Sequence, residues 1–158
     1  MAEEAKIKQA KAVFKSLCEM LDDKKWHSSK DEQRYTIACS AQGEDLPMDI
    51  RIEVDPERLL VILMSDMPFS IPEDRRTALA VAVSCANYGI VDGSFDYNYL
   101  TGHIVFRLTS CYRDSLIGKD LLEYMLYCSC YTIDHYNDKF LMVAKSDMSN
   151  EEIAKVID

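Results

Sequence analysis

Cys128, Cys130 and His135 come nearest to a reactive set in this chain. Two thiolates and an imidazole would suit a metal- or thiol-dependent enzyme. The spacing argues against that use. In a helix, residues two apart point about 200° from one another, so Cys128 and Cys130 cannot easily share one ion. The stronger signature, a repeated C-x-x-C, does not occur. The three histidines, His27, His103 and His135, are scattered over a strand start, a hairpin and a helix. A zinc site would need them to converge with cysteine or acid, and ordinary hydrogen-bonded or surface histidines are the favoured reading. Asp134, His135 and Asp138 form a local cluster that a solvated helix face explains.

Other chemistries fare no better. Acidic residues are plentiful, so carboxylate pairs for acid–base work can always be imagined. Asp92 and Asp96 flank a hairpin entrance, where turn and edge roles suit aspartate equally well. None of the five glycines is grouped to cradle a phosphate, and no serine sits in a nucleophile elbow. Arg107 could pair with Asp92 or Asp96, or could grip a carboxylate or carbonyls of a partner in a bidentate way; the ion pair is favoured. Tyr124, Tyr127 and Tyr131 recur at three and four residues and share a helix face. Tyrosine suits interfaces because it joins apolar area to a polar tip, but core packing is the slightly favoured account of these three. No catalytic residue, cofactor or metal ligand is assigned.

The elements that would position these groups follow from the bulk numbers and the periodicity. A chain of 158 residues with 48% hydrophobic content is one domain's worth, large enough for a self-sufficient core. A net charge of −9 repels phosphate backbones and anionic membrane surfaces, so neither nucleic acid nor membrane is an expected partner; basic polypeptide segments are. The N-terminus has acids where a secretory signal would want bases, and no run approaches a membrane span. The expectation is a cytoplasmic protein whose six cysteines are reduced and mostly buried.

A first amphipathic helix is predicted from about Glu4 to Leu21, with Ile7, Ala10, Phe14, Leu17, Cys18 and Leu21 on one stripe. Three strands follow over 34–41, 48–54 and 59–64, the first two alternating and the third continuously apolar, as in a meander. Ser70 and Glu73 have capping-box spacing before a second helix. From Ala78 to Ala86 this helix carries no charge, so more than the sheet must cover it. Ala78, Leu79, Ala82, Val83 and Ala86 are therefore the expected buried or dimer-facing residues. Gly89 is placed to close the helix in the left-handed conformation. A hairpin follows, then a long helix from about Asp114 or Ser115, and Ser149 with Glu152 caps a short tail helix. The fold class is α+β, with an antiparallel sheet of about five strands in the order α-βββ-α-ββ-α. The whole of 1–158 reads as a single domain with a core over about 4–145 and a short C-terminal helix within 146–158.

Asn87, Gly93, Phe95, Gly102 and Arg107, in the frame N-x5-G-x-F-x6-G-x4-R, resemble the central signature of YbjN-domain proteins. Asp134 and Tyr136 resemble that family's Asp-x-aromatic feature. Asn98 stands in the hairpin turn where the family usually carries an acid. The resemblance spans roughly Phe14 to Val143. It implies a fold like that of class I type III secretion chaperones, which are small acidic cytosolic proteins, commonly dimeric, that hold extended segments of partners. YbjN-like proteins are described only loosely, as bacterial regulators of sensory transduction, and no catalytic residues come with the family. The functional expectation is thus a non-enzymatic protein-interaction or regulatory module, homodimeric, binding a polypeptide partner. The alternatives are the metal- or thiol-dependent enzyme at Cys128, Cys130 and His135, and a small-ligand sensor with a pocket under the first helix.

Overall fold

Alternating side chains along six antiparallel strands divide this protein into a dry side and a wet side. The structure, a computed structural model, describes residues 3–115 and 117–158; Met1, Ala2 and Leu116 lie outside the described residues. The strands are β1 (Ser28–Asp31), β2 (Thr36–Gln42), β3 (Pro47–Asp55), β4 (Leu60–Asp66), β5 (Ser94–Asn98) and β6 (His103–Cys111), in the spatial order β1-β2-β3-β4-β6-β5. Ile37, Ile52, Leu63 and Leu108 are paired in one row across β2, β3, β4 and β6, and all four are buried. The next row on that face runs Cys39, Ile50, Ser65, Phe106, Phe95. The residues between them point the other way. Ala38, Arg51, Met64 and Arg107 form a row of the open face, which stays accessible and carries ion pairs. A one-residue slip would exchange the two sets, so the register is firmly specified.

The helices all lie on the dry side. α1 (Glu3–Asp23) buries Ala10, Val13, Phe14, Leu17, Met20 and Leu21, packing on β3 and on α3 (Lys119–Lys145). α3 crosses β4 and β6 with Leu122, Met125, Leu126, Ile133 and Phe140 inward. α2 (Arg76–Gly89) lies against β5, α3 and the tail helix α4 (Asn150–Ile157). Among the described residues no helix is long and apolar enough to cross a membrane.

The α+β class and antiparallel sheet are as expected, but the sheet has six strands. The extra edge strand, Ser-Ser-Lys-Asp at 28–31, is built of polar residues, so it has no apolar alternation to betray it. Ser70 and Glu73 do not form a capping box. Glu73–Arg75 is a single 3-10 turn led by Pro72, and α2 starts after it. Gly89 stays inside the last turn of α2 and does not take a positive φ; Ile90 is extended and ends the helix. α3 begins at Lys119, later than Asp114 or Ser115. The Ser149–Glu152 capping box is formed, with both reciprocal bonds.

Three hairpins share one turn. Asp31 and Thr36, Asp55 and Leu60, and Asn98 and His103 are the closing pairs, each bridged by four residues. In each, the first residue's Oδ1 accepts the N–H groups of the residues two and three further on. In each, the fourth loop residue has positive φ: Tyr35 at 54°, Leu59 at 59° and Gly102 at 74°. The side-chain oxygen satisfies donors that the tight turn leaves free. Asn98 therefore performs the same task as Asp31 and Asp55, because the task needs an acceptor and not a charge.

Candidate interaction surface

The hairpin signature residues are braces for the backbone. The Asn87 amide donates to Phe95 O at 3.0 Å and accepts from Phe95 N at 2.8 Å. Gly93 has φ +86°, and a Cβ there would collide with the Phe106 ring and the Arg107 carbonyl. Gly102 is pressed against the backbone of Ile71, whose N–H donates to Gly102 O at 3.0 Å. Phe95 is buried in an aromatic cluster with Phe106, Tyr136 and Phe140 at centroid distances of 5.2, 5.6 and 4.9 Å. Arg107 lies on the open face and makes a two-pronged pair with Asp96, at 2.8 and 3.0 Å. That hydrogen-bonded carboxylate holds the guanidinium above its ordinary pKa. Asp96, not Asp92, is the partner.

Asp134 also has a structural task. Its Oδ1 accepts the Glu44 N–H at 2.9 Å and so ties α3 to the β2–β3 turn. Gly43 is needed beside it, since a Cβ there would run into that carboxylate and the Leu46 carbonyl.

Leu79, Ala82, Val83 and Ala86 are buried within a single chain, and Ala78 is partly buried. The cover is α3, β5 and α4, whose Ile153 and Ile157 are also fully enclosed. The outer side of α2 remains without charge. It presents Thr77, Ser84 and Tyr88, and Val91 follows; Tyr88 and Val91 are 96% and 94% exposed.

Cys128, Cys130 and His135 are not brought together. Cys130 lines one depression, with Trp26 and Tyr127; Cys128 and His135 line another, with Gly89 and Tyr136. Burial pushes the Cys130 and Cys39 thiols up to about 11, so neither is a ready thiolate. His103 contacts Asp66 at 2.7 Å on the open sheet face, far in sequence from the other two histidines. Among the described residues no three His, Cys, Asp or Glu side chains are grouped to hold a metal ion.

The aromatic face of α3 is at the surface, not in the core. Tyr124, Tyr127 and Tyr131 are 51%, 47% and 74% exposed, and the core-packing expectation fails for all three. Sequence spacing placed them on one face but could not tell which of α3's two aromatic faces pointed in; Tyr136 and Phe140 took that side. Tyr124 donates to Asp92, and this bond, with Cys128 beside it, pushes the phenol up to about 12. Tyr131 stacks on His135, at 6.2 Å and 13°. On either side of Tyr131 lies a depression. One, of about 620 Å³, reaches Trp26 and the β2–β3 turn; the other, of about 340 Å³, reaches Gly89 and Ile90.

No family model matches the sequence, and no curated protein matches it. Solved structures do match in shape. YbjN from E. coli aligns with a TM-score of 0.57 at 10% identity, covering 79% of this chain and 91% of that one. A chain of the ExsC–ExsE complex aligns with a TM-score of 0.57 at 16% identity, covering 80% and 91%. A chain of the HopA1–SchA chaperone–effector complex aligns with a TM-score of 0.53 at 11% identity, covering 80% and 95%. The chain thus has the fold of YbjN and of the type III secretion chaperones.

Proposed function

We propose that this protein is a non-enzymatic module that binds a segment of a partner polypeptide, and that it works as a homodimer in the cytoplasm. The observation that carries the reading is the surface position of Tyr124, Tyr127 and Tyr131 on α3, flanked by two depressions. Aromatic side chains left half-exposed in a row offer large apolar area at small entropic cost, which is what protein interfaces use. The two chaperone-like neighbours come from complexes named with a partner, which points the same way. A dimer would use the outer side of α2. From Thr77 to Val91 there is no charge, and Lys155 and Asp158, which border Ser84 and Tyr88, are of opposite sign, so two copies of a chain at −9 can meet there with little repulsion.

A displayed library of random peptides selected on the purified protein tests the first part. Peptides that bind the native chain and lose binding to a Tyr124→Ala, Tyr127→Ala double variant are expected. A library that returns nothing above a charge-matched control protein removes the reading. Light scattering tests the second part: a dimer that dissociates on Tyr88→Asp is expected, and a clean monomer at high micromolar concentration ends it.

A further inference from the structure

We propose that the depression between Trp26, Tyr127 and Tyr131 receives a cationic side chain, an arginine or a lysine, carried by an extended segment of the bound partner. The proposal deepens the partner-binding reading and rests on it.

The walls are built and fixed. Trp26 follows the end of α1, where its N–H donates to Leu21 O at 2.9 Å and Lys25 N–H donates to Asp22 O at 3.0 Å, with Lys25 at φ 59°. This paired closure sets the backbone that carries the indole. The indole meets Tyr127 edge-on, with centroids 6.3 Å apart at 69°. Tyr131 stands one turn further along α3. The opposite wall is the β2–β3 turn, which Asp134 clamps through Glu44 N–H.

The charge of the lining selects the occupant. Glu44 and Asp134 both border the depression, and no Lys, Arg or His does. An apolar occupant would strip water from two carboxylates and give nothing back. An anion would meet two like charges. A guanidinium or ammonium finds aromatic faces, which attract cations, with the carboxylates adding to the field. Lys24, two residues before Trp26, is already paired with Glu123. Among the described residues the same chemistry occurs once, where Lys139 sits 5.4 Å over the Tyr136 ring. Tyr131 borders this depression and the neighbouring one, so a segment running along α3 can seat its cation here and continue past His135.

Trp26 is the single tryptophan of the chain, so its emission reports on the site directly. The probes are an acetyl-Gly-Arg-Gly-amide peptide and its citrulline counterpart, equal in shape and without charge. The expected result is a saturable change in Trp26 emission with the arginine peptide, weakened by salt and absent with citrulline. Glu44→Gln and Tyr131→Leu should each weaken it roughly two- to fivefold, as expected for exposed cation–aromatic contacts. Tyr131→Leu keeps apolar bulk and removes the ring, and circular dichroism confirms that each variant is folded. Equal response to citrulline, a non-saturating response, or affinity unchanged in both variants overturns the proposal. Library peptides that bind through the α3 tyrosines but carry no basic residue also overturn it while leaving partner binding intact, whereas a barren library removes the broader reading.

Discussion

The side-chain amide of Asn87 pairs with both backbone polar groups of Phe95, donating to its carbonyl and accepting from its N–H. β5 is an edge strand, and Phe95 sits opposite Phe106 on β6. Asn87, in the last turn of α2, therefore stands in for one residue of a missing seventh strand. The clamp couples helix to sheet and holds the Phe95 ring in the Phe106, Tyr136 and Phe140 cluster. It also blunts an edge that could otherwise recruit another strand.

Asn87→Ala removes both bonds and is expected to cost about 1–3 kcal/mol, since each is worth about 1 kcal/mol and the freed groups are only partly reached by water. Asn87→Asp keeps the acceptor but turns a carboxylate toward the Phe95 carbonyl, so it should be no milder at neutral pH. Urea denaturation gives the stability, and amide exchange at Phe95 locates the loss. An unshifted midpoint in both variants would show that the clamp does not hold the hairpin.

Two left-handed residues are expected to respond oppositely to glycine. Lys25 and Leu59 share φ 59°. Lys25 is exposed, so Lys25→Gly relieves the conformational penalty and loses little else; a gain of about 0.5–1 kcal/mol is expected. Leu59 is 1% exposed. Deleting a buried leucine costs about 2–5 kcal/mol, which exceeds the relief, so Leu59→Gly should destabilise. Thermal unfolding of the two variants decides it, and a gain at both positions would contradict the burial argument.

How far the sequence revealed this molecule depended on whether a residue's role left a periodic trace. Ile37, Ile50, Ile52 and Val54 alternate, and they are the dry face of the sheet. Ser28–Asp31 shows no apolar alternation because its inward residues are polar: Lys30, opposite Ile37 on the dry face, is held by Asp22 of α1. Tyr35, Leu59 and Lys25 take a conformation that residue type does not advertise, being imposed by side-chain acceptors and helix closure nearby. The neutral surface of α2 correctly demanded a second cover, but the identity of that cover was a tertiary fact: α4, read as a mere tail, supplies Ile153 and Ile157. The candidate site was half legible. Spacing grouped Tyr124, Tyr127 and Tyr131, with Asp134 one turn further along the same helix, while Trp26 and Glu44 reach the same place from two other points of the chain through folding alone.

The short helix α4 is expected to loosen in acid before the rest of the fold. Its N-terminus rests on the reciprocal box in which Ser149 N–H donates to Glu152 and Glu152 N–H donates to Ser149 Oγ. The Ser149 backbone bond, followed by the hydroxyl bond, lowers the Glu152 carboxyl below its ordinary value of 4.5. A carboxyl whose folded pKa is depressed stabilises fully above its unfolded value and loses that contribution as pH falls through the folded one. The window therefore lies below 4.5, and the loss falls on α4, whose eight residues have little else to nucleate them. Titration of the Glu152 side-chain carbon by nuclear magnetic resonance should give a midpoint below 4.5 that returns toward it in Ser149→Ala. At neutral pH the same substitution should speed amide exchange at Ile153 and Ile157 about fivefold, corresponding to about 1 kcal/mol for a lost cap. Because those two isoleucines cover α2, exchange at Ala82 and Ala86 should rise with them; protection at α2 that stays constant while α4 frays would mean that α3 and β5 alone keep the neutral helix dry.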